Sequence, residues 1–158
     1  MTFIKVFFSL GMIFAAIYLS ILDIKTQKIP RLYSYIFVGF SILGGFFVTR
    51  FLLSTIIAGF LGFGLFYLVR KITKNKLGLA DCFFSSGIGF FFGFEIWLRI
   101  CFTACIVGTI MFIRFEIIKH SFKGHVTYGD YAEKMKAFIP FIPCLTFGVI
   151  VYSIIWMV

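Results

Sequence analysis

Apolar residues follow one another in long stretches along this chain, and charged residues interrupt them at only a few places. Read between the charges, the apolar runs cover residues 3–22, 33–49, 51–69, 82–98, 100–118 and 137–158. A helix needs roughly 20 apolar residues to cross a hydrocarbon core about 30 Å thick, and each run approaches that length. The pattern predicts an all-α polytopic membrane protein, a six-transmembrane-helix bundle. Six crossings take up ~120 residues, so the chain has room for little more than loops and termini besides. The first run has a single cation, Lys5, near its start, is too long for the core of a signal peptide and is followed by Asp23 in place of a small-residue cleavage site. It is read as a retained helix. Neither a repeat, a low-complexity tract nor an interdomain linker interrupts residues 1–158, and one transmembrane domain is expected.

Composition removes the soluble alternatives. Hydrophobic residues make up 61% and charged residues 13%, with mean hydropathy +1.08, against about 45–50% and 25% in soluble domains. A net charge of +9 would point to nucleic acid in a soluble protein. In a membrane protein it points to Lys and Arg gathered in cytoplasmic loops, so lipid and not nucleic acid is the expected surrounding partner. Lys25, Lys28 and Arg31 fall in one interrupting segment, Arg70, Lys71, Lys74 and Lys76 in a second, and Lys119, Lys123, Lys134 and Lys136 in a third just after Arg114. The opposite side has Lys5, Arg50 and Arg99. This asymmetry predicts a multi-pass protein of the cytoplasmic (inner) membrane with three loops inside and both termini outside. The cysteines, Cys82, Cys101, Cys105 and Cys144, lie in apolar stretches without a C-x-x-C pair, and are read as buried small hydrophobes, with neither zinc knuckle nor disulfide framework.

Six acids remain, Asp23, Asp81, Glu95, Glu116, Asp130 and Glu133, and in so apolar a chain each needs a reason. Asp23 closes the first run and Asp81 opens the fourth, so the alternation of crossings brings both to the same membrane face. Steps of three and four residues back from Asp23 meet Ser20, Ala16, Met12 and Ser9, and steps of four onward from Asp81 meet Ser85, Gly89 and Gly93. Stripes of mostly small residues are where membrane helices approach closely, which turns both acids toward helices and away from lipid. These residues leave two readings open: a catalytic acid pair, or Asp81 as a helix N-cap with Asp23 solvated at a helix end.

Other polar residues have plainer explanations. Glu95 and Arg99, four apart, suit an interfacial ion pair. His120, His125, Asp130 and Glu133 match no metal-site spacing, and no metal is expected there. Pro140 and Pro143 suit the first turn of the last helix. The 25 phenylalanines serve lipid contact and packing.

Three segments taken together resemble the prepilin peptidase family, the membrane aspartic proteases that remove leaders from type IV pilin-like and pseudopilin precursors. D-I-K-T-Q-K-I-P over residues 23–30 is similar to the family's Asp, basic residue and Ile-Pro, here Asp23, Lys25, Ile29 and Pro30. G-L-A-D-C-F-F-S-S-G-I-G-F-F-F-G over residues 78–93 resembles the G-x-G-D segment, with Gly78, Ala80 and Asp81 and the later glycines Gly89 and Gly93. I-P-F-I-P-C-L-T-F-G over residues 139–148 is similar to the motif opening the last helix, with Pro140 and Pro143. Four positions depart from the pattern. Ala80 replaces a glycine, Phe83 a lysine, Arg31 an asparagine and Ile142 a glycine. The first departure gives up access to positive φ before Asp81, and the second gives up a possible counter-charge.

The resemblance implies an aspartic endopeptidase with Asp23 and Asp81 as its catalytic pair, acting on a precursor whose short basic leader precedes an apolar helix. Like charges held close cannot both ionise cheaply, so one carboxyl keeps its proton and polarises the scissile carbonyl while the other activates water. Many full-length relatives carry an N-terminal insertion with paired cysteines and methylate the new N-terminus; a peptidase-only form with no zinc, S-adenosylmethionine or other cofactor is expected here. The alternatives are a catalytically inactive homologue serving as a membrane subunit of a pilus or secretion assembly, and a small transporter. A transporter would place its acids near the bilayer midplane.

Overall fold

The computed structural model describes residues 2–26, 29–49, 53–74, 77–121 and 141–157, and these form six α-helices with no strand among them. They are α1 (Thr2–Thr26), α2 (Arg31–Thr49), α3 (Leu53–Ile72), α4 (Leu79–Phe92), α5 (Phe94–Ser121) and α6 (Phe141–Met157). Helices α1, α2, α3 and α5 are long and apolar enough to cross a membrane, whereas α4 and α6 are shorter apolar helices. Large apolar side chains such as Phe3, Phe14, Phe60 and Phe102 stand exposed on the outside, as a lipid-facing surface requires. The chain is a multi-pass helical membrane protein.

Pairs of touching residues give the directions of the helices. Phe8 meets Phe40 while Tyr18 meets Tyr33, so α1 and α2 are antiparallel. Tyr35 meets Phe83 and Gly44 meets Phe91, so α2 and α4 are parallel. Phe63 meets Phe83 and Gly59 meets Phe90, so α3 opposes α4. Gly148 meets Ile100 and Gly108 meets Cys144, so α6 opposes α5. The C-terminal ends of α1 and α3 therefore meet the N-terminal ends of α2 and α4 at one end of the bundle.

Helix α4 is the centre of this arrangement. At 14 residues it spans ~21 Å, less than a hydrocarbon core, and its sides are covered by protein: Phe84, Ile88 and Phe91 are all buried. Glycines allow the cover to come close. A Cβ at Gly89 would collide with the carbonyl of Ala58 on α3, and one at Gly45 of α2 with the carbonyl of Phe90. Two polar contacts add to the packing of α4, the Ser86 hydroxyl donating to the Gly59 carbonyl of α3 at 2.9 Å and the Trp97 indole of α5 donating to Ser85 Oγ at 3.0 Å. On the other side, Thr146 of α6 donates to the Ala16 carbonyl of α1 at 3.2 Å.

The structure corrects the sequence reading at the fourth and fifth runs. Residues 82–98 do not form one helix, and Arg99 is not in a connection. Helix α4 ends at Phe92, Gly93 turns the chain with φ +82, and α5 starts at Phe94. The left-handed φ is open to glycine, and Gly93 joins both helices: its N–H donates to the Gly89 carbonyl at 2.9 Å and its own carbonyl accepts from Trp97 N–H at 3.0 Å. Apolar residues continue across the break, so hydropathy carries no trace of it. Arg99 consequently lies one turn inside α5, paired with Glu95 on an exposed surface. Gly93 is thus the junction of the two helices, and it is buried with Ser54 and Thr55 of α3 beside it. Cys105 is also exposed on α5, unlike the buried Cys82 and Cys144, while Cys101 is half-buried. Pro140, Lys28, Lys76, Arg50 and most of the basic segment 119–136, with His125, Asp130 and Glu133, lie outside the described residues.

Candidate active site

Asp23 belongs to the last turn of α1, which continues to Thr26, so helix geometry and not a loop sets its direction. The stripe predicted from its spacing is the inner face of the helix: Ser9, Met12 and Ala16 are fully buried, and Asp23 itself is 4% exposed. Asp81 lies in the first turn of α4 and is 2% exposed. Gly78 is the N-cap of this helix, with extended backbone angles, φ −66 and ψ 147. Asp81 stands three residues on, and its Oδ2 accepts the Gly78 N–H at 2.9 Å. One oxygen therefore caps the helix, satisfying a donor that the first turn leaves over.

Both carboxyls keep an oxygen for something else. Asp23 Oδ2 and Asp81 Oδ1 are buried without a hydrogen-bond partner in the protein. The two side chains are close enough for their charges to act on each other, although they come from helices 58 positions apart in sequence, residue 23 and residue 81. Glu95, by contrast, is exposed, which makes Asp23 and Asp81 the buried acids among the described side chains. Two buried like charges are costly, and the arrangement becomes cheap when a single proton is shared between them. Two carboxyls that share one proton can act as acid and base together, which is what hydrolysis by activated water requires. No cluster of His, Cys, Asp and Glu capable of holding a metal occurs among the described residues.

The surroundings add a cation that sequence reasoning treated only as a topology signal. Arg70, in the last turn of α3, is half-buried, and its Nη1 donates to the Leu77 carbonyl at 3.2 Å. Its charge also acts on Asp81. The signal available in the sequence was position alone, a basic residue ending the helix that precedes the Asp81 segment. Between α1 and α2 there is a groove of about 390 Å³, apolar apart from the hydroxyls of Tyr18 and Tyr33. Leu19, on its wall, lies one helical turn before Asp23.

The sequence model of the type IV leader peptidase family matches residues 10–113, about two thirds of the chain. The chain belongs to this family. It is therefore a membrane protease of the leader-peptidase kind, and the matched stretch contains both aspartates and the first two motifs. The third motif, residues 139–148, lies beyond the match. No curated protein and no solved structure matches the chain.

Within the leader peptidase frame the remaining motif residues divide by burial. Ile29 packs against the core, whereas Pro30 is exposed and offers its carbonyl to the Tyr33 N–H at 3.1 Å, starting α2. Lys25, two residues past Asp23 and so on another side of α1, is exposed. Gly89 is the tight contact with α3 described above, and Pro143 is half-buried in the first turn of α6. Ala80 is inside the first turn of α4, and among the described residues only Lys74 and Gly93 have positive φ. Position 80 thus needs no glycine freedom, and alanine suits the helix that forms there. Phe83, in place of a lysine, packs edge-on to Tyr35 and tilted against Phe63 at centroid distances of 5.1 and 5.2 Å.

Proposed function

We propose that this protein is a metal-independent aspartic endopeptidase that removes the short basic leader from type IV prepilin-like or pseudopilin precursors, with Asp23 and Asp81 as its catalytic pair. One observation carries the reading: the two buried acids, from distant parts of the chain, lie at one end of the bundle within reach of each other's charge, with an oxygen of each left unpartnered. In the reaction the ionised carboxyl takes a proton from water as the water oxygen bonds to the scissile carbonyl carbon. The protonated carboxyl donates a hydrogen bond to the carbonyl oxygen, and the departing amine receives a proton as the C–N bond breaks. The pair titrates as a unit, so the roles belong to the dyad.

The aspartate end of the bundle carries Lys25, Arg31, Arg70, Lys71 and Lys74, whereas Lys5 and Arg99 are at the other. We place the aspartate end at the cytoplasmic face on this asymmetry, with both termini opposite. A precursor whose apolar helix lies in the bilayer then presents its leader junction at the depth of the acids. Two findings support activity over an inactive homologue: Ala80 fits the helix, and Arg70 supplies positive charge that position 83 lacks. A transporter fits less well, because the acids sit at helix ends and not at mid-bundle.

Co-expression with a candidate precursor tests the reading. Wild type is expected to shorten the precursor, and Asp23→Asn and Asp81→Asn to leave it intact at equal membrane abundance. Cleavage that persists in both variants overturns the two-carboxylate mechanism.

A further inference from the structure

The cation beside Asp81 reaches it in a particular way. Arg70 Nη1 donates to the Leu77 carbonyl at 3.2 Å, and Gly78 N–H donates to Asp81 Oδ2 at 2.9 Å. These are the two ends of one peptide group, the amide joining Leu77 to Gly78. A guanidinium at the carbonyl draws amide electron density toward oxygen, leaving the N–H more positive and a stronger donor, as expected when hydrogen bonds are chained. Arginine suits this place because it stays charged and offers planar, directed donors.

We propose that Arg70 is a positioning residue for Asp81 and acts through the Leu77–Gly78 peptide, fixing which carboxylate oxygen is tied to the helix cap and which is left for the reaction. The inference rests on the aspartic peptidase reading for its catalytic consequence, but the hydrogen-bonded chain is a property of the fold alone. Three features support it. Arg70 is held on a formed helix turn, where Thr73 Oγ1 also closes back on the Val69 carbonyl at 2.8 Å. The Asp81 oxygen not engaged by the chain, Oδ1, is the one buried without a partner. The relay enters at the N-terminus of α4, where the backbone already favours a negative side chain. The absence of a lysine at Phe83 then has a structural counterpart on the neighbouring helix. A cation is present, and it acts one peptide away.

The test uses the whole chain, solubilised, with ¹⁵N-labelled glycine, and in parallel the precursor cleavage assay. Arg70→Gln is expected to move the Gly78 amide proton upfield, as a weakened hydrogen bond does, and Arg70→Lys to recover at least half of that shift. In the assay, Arg70→Gln should lower kcat by ~10²-fold with KM within about twofold, the size of effect that misplacing a reacting group produces. Arg70→Lys should restore most of it. Gly78→Pro serves where Arg70→Gln accumulates poorly, because φ −66 already suits proline, and proline removes the donor N–H. It should lower kcat to a similar extent, and adding Arg70→Lys should change it little further. A Gly78 amide unmoved in Arg70→Gln overturns the relay, and unchanged kcat in both Arg70→Gln and Gly78→Pro overturns the positioning role. A wild type that cleaves nothing, or cleaves without Asp23 and Asp81, instead defeats the peptidase mechanism, while the amide shift still decides the relay.

Discussion

Asp81 and Glu95 begin from the same local situation. Each is an acid in the first turn of an apolar helix, α4 and α5 respectively, where exposed N–H groups welcome negative charge. Their surroundings separate them. Asp81 is 2% exposed, uses one oxygen on the Gly78 N–H, and has its other oxygen unpartnered near a second acid. The Glu95 side chain is 78% exposed and is paired with Arg99 one turn on. Charge at Glu95 is solvated and compensated. Charge at Asp81 is buried near a second acid and only partly offset, by the Gly78 N–H and the Arg70 guanidinium. The comparison shows that a first-turn acid is made chemically significant by what covers it.

The sharpest way to break the comparison is to neutralise each acid in turn. Asp81→Asn and Asp23→Asn are expected to reduce precursor cleavage by roughly 10²–10⁴-fold, the range for loss of a general acid or base. Comparing initial rates at matched membrane abundance measures this. A loss of less than tenfold in either would put Asp81 in the same class as Glu95.

The next largest effect should come from the cover itself. Gly89→Val forces a side chain against the Ala58 carbonyl, a backbone atom that cannot swing aside. Overpacking of this kind costs ~3 kcal/mol, so the thermal unfolding midpoint in detergent should fall clearly and cleavage should fall with it. Trp97→Phe removes the indole donor to Ser85 Oγ while keeping most of the aromatic volume. The expected loss is ~1 kcal/mol in the same unfolding measurement, since interhelical hydrogen bonds in membranes are individually modest.

At the small end, Glu95→Gln is expected to change stability by less than ~0.5 kcal/mol and to leave cleavage unaltered. A tenfold drop in cleavage in that variant would mean that the α5 pair is coupled to the acid site, and the contrast drawn between the two regions would fail.

Much of this was legible in the sequence, for a physical reason. A helix in lipid must satisfy its backbone within itself, so a long apolar run has few alternatives, and the number of helices, their alternation and the shared face of Asp23 and Asp81 follow from run lengths and charges. The periodic stripe Ser9, Met12, Ala16, Asp23 announced a buried face, because helical spacing converts sequence intervals directly into one side. Tertiary structure alone decided the rest. The break at Gly93 depends on one positive φ inside continuous apolar sequence. The burial of α4 depends on α2 and α3 closing on Gly45 and Gly89. The division of labour between the two oxygens of Asp81, and the Arg70 guanidinium on the far side of the peptide that binds one of them, are matters of distance between groups separated along the chain. Run length and periodicity encode where a helix lies and which side it hides, whereas which groups touch across helices is set by packing that no local pattern contains.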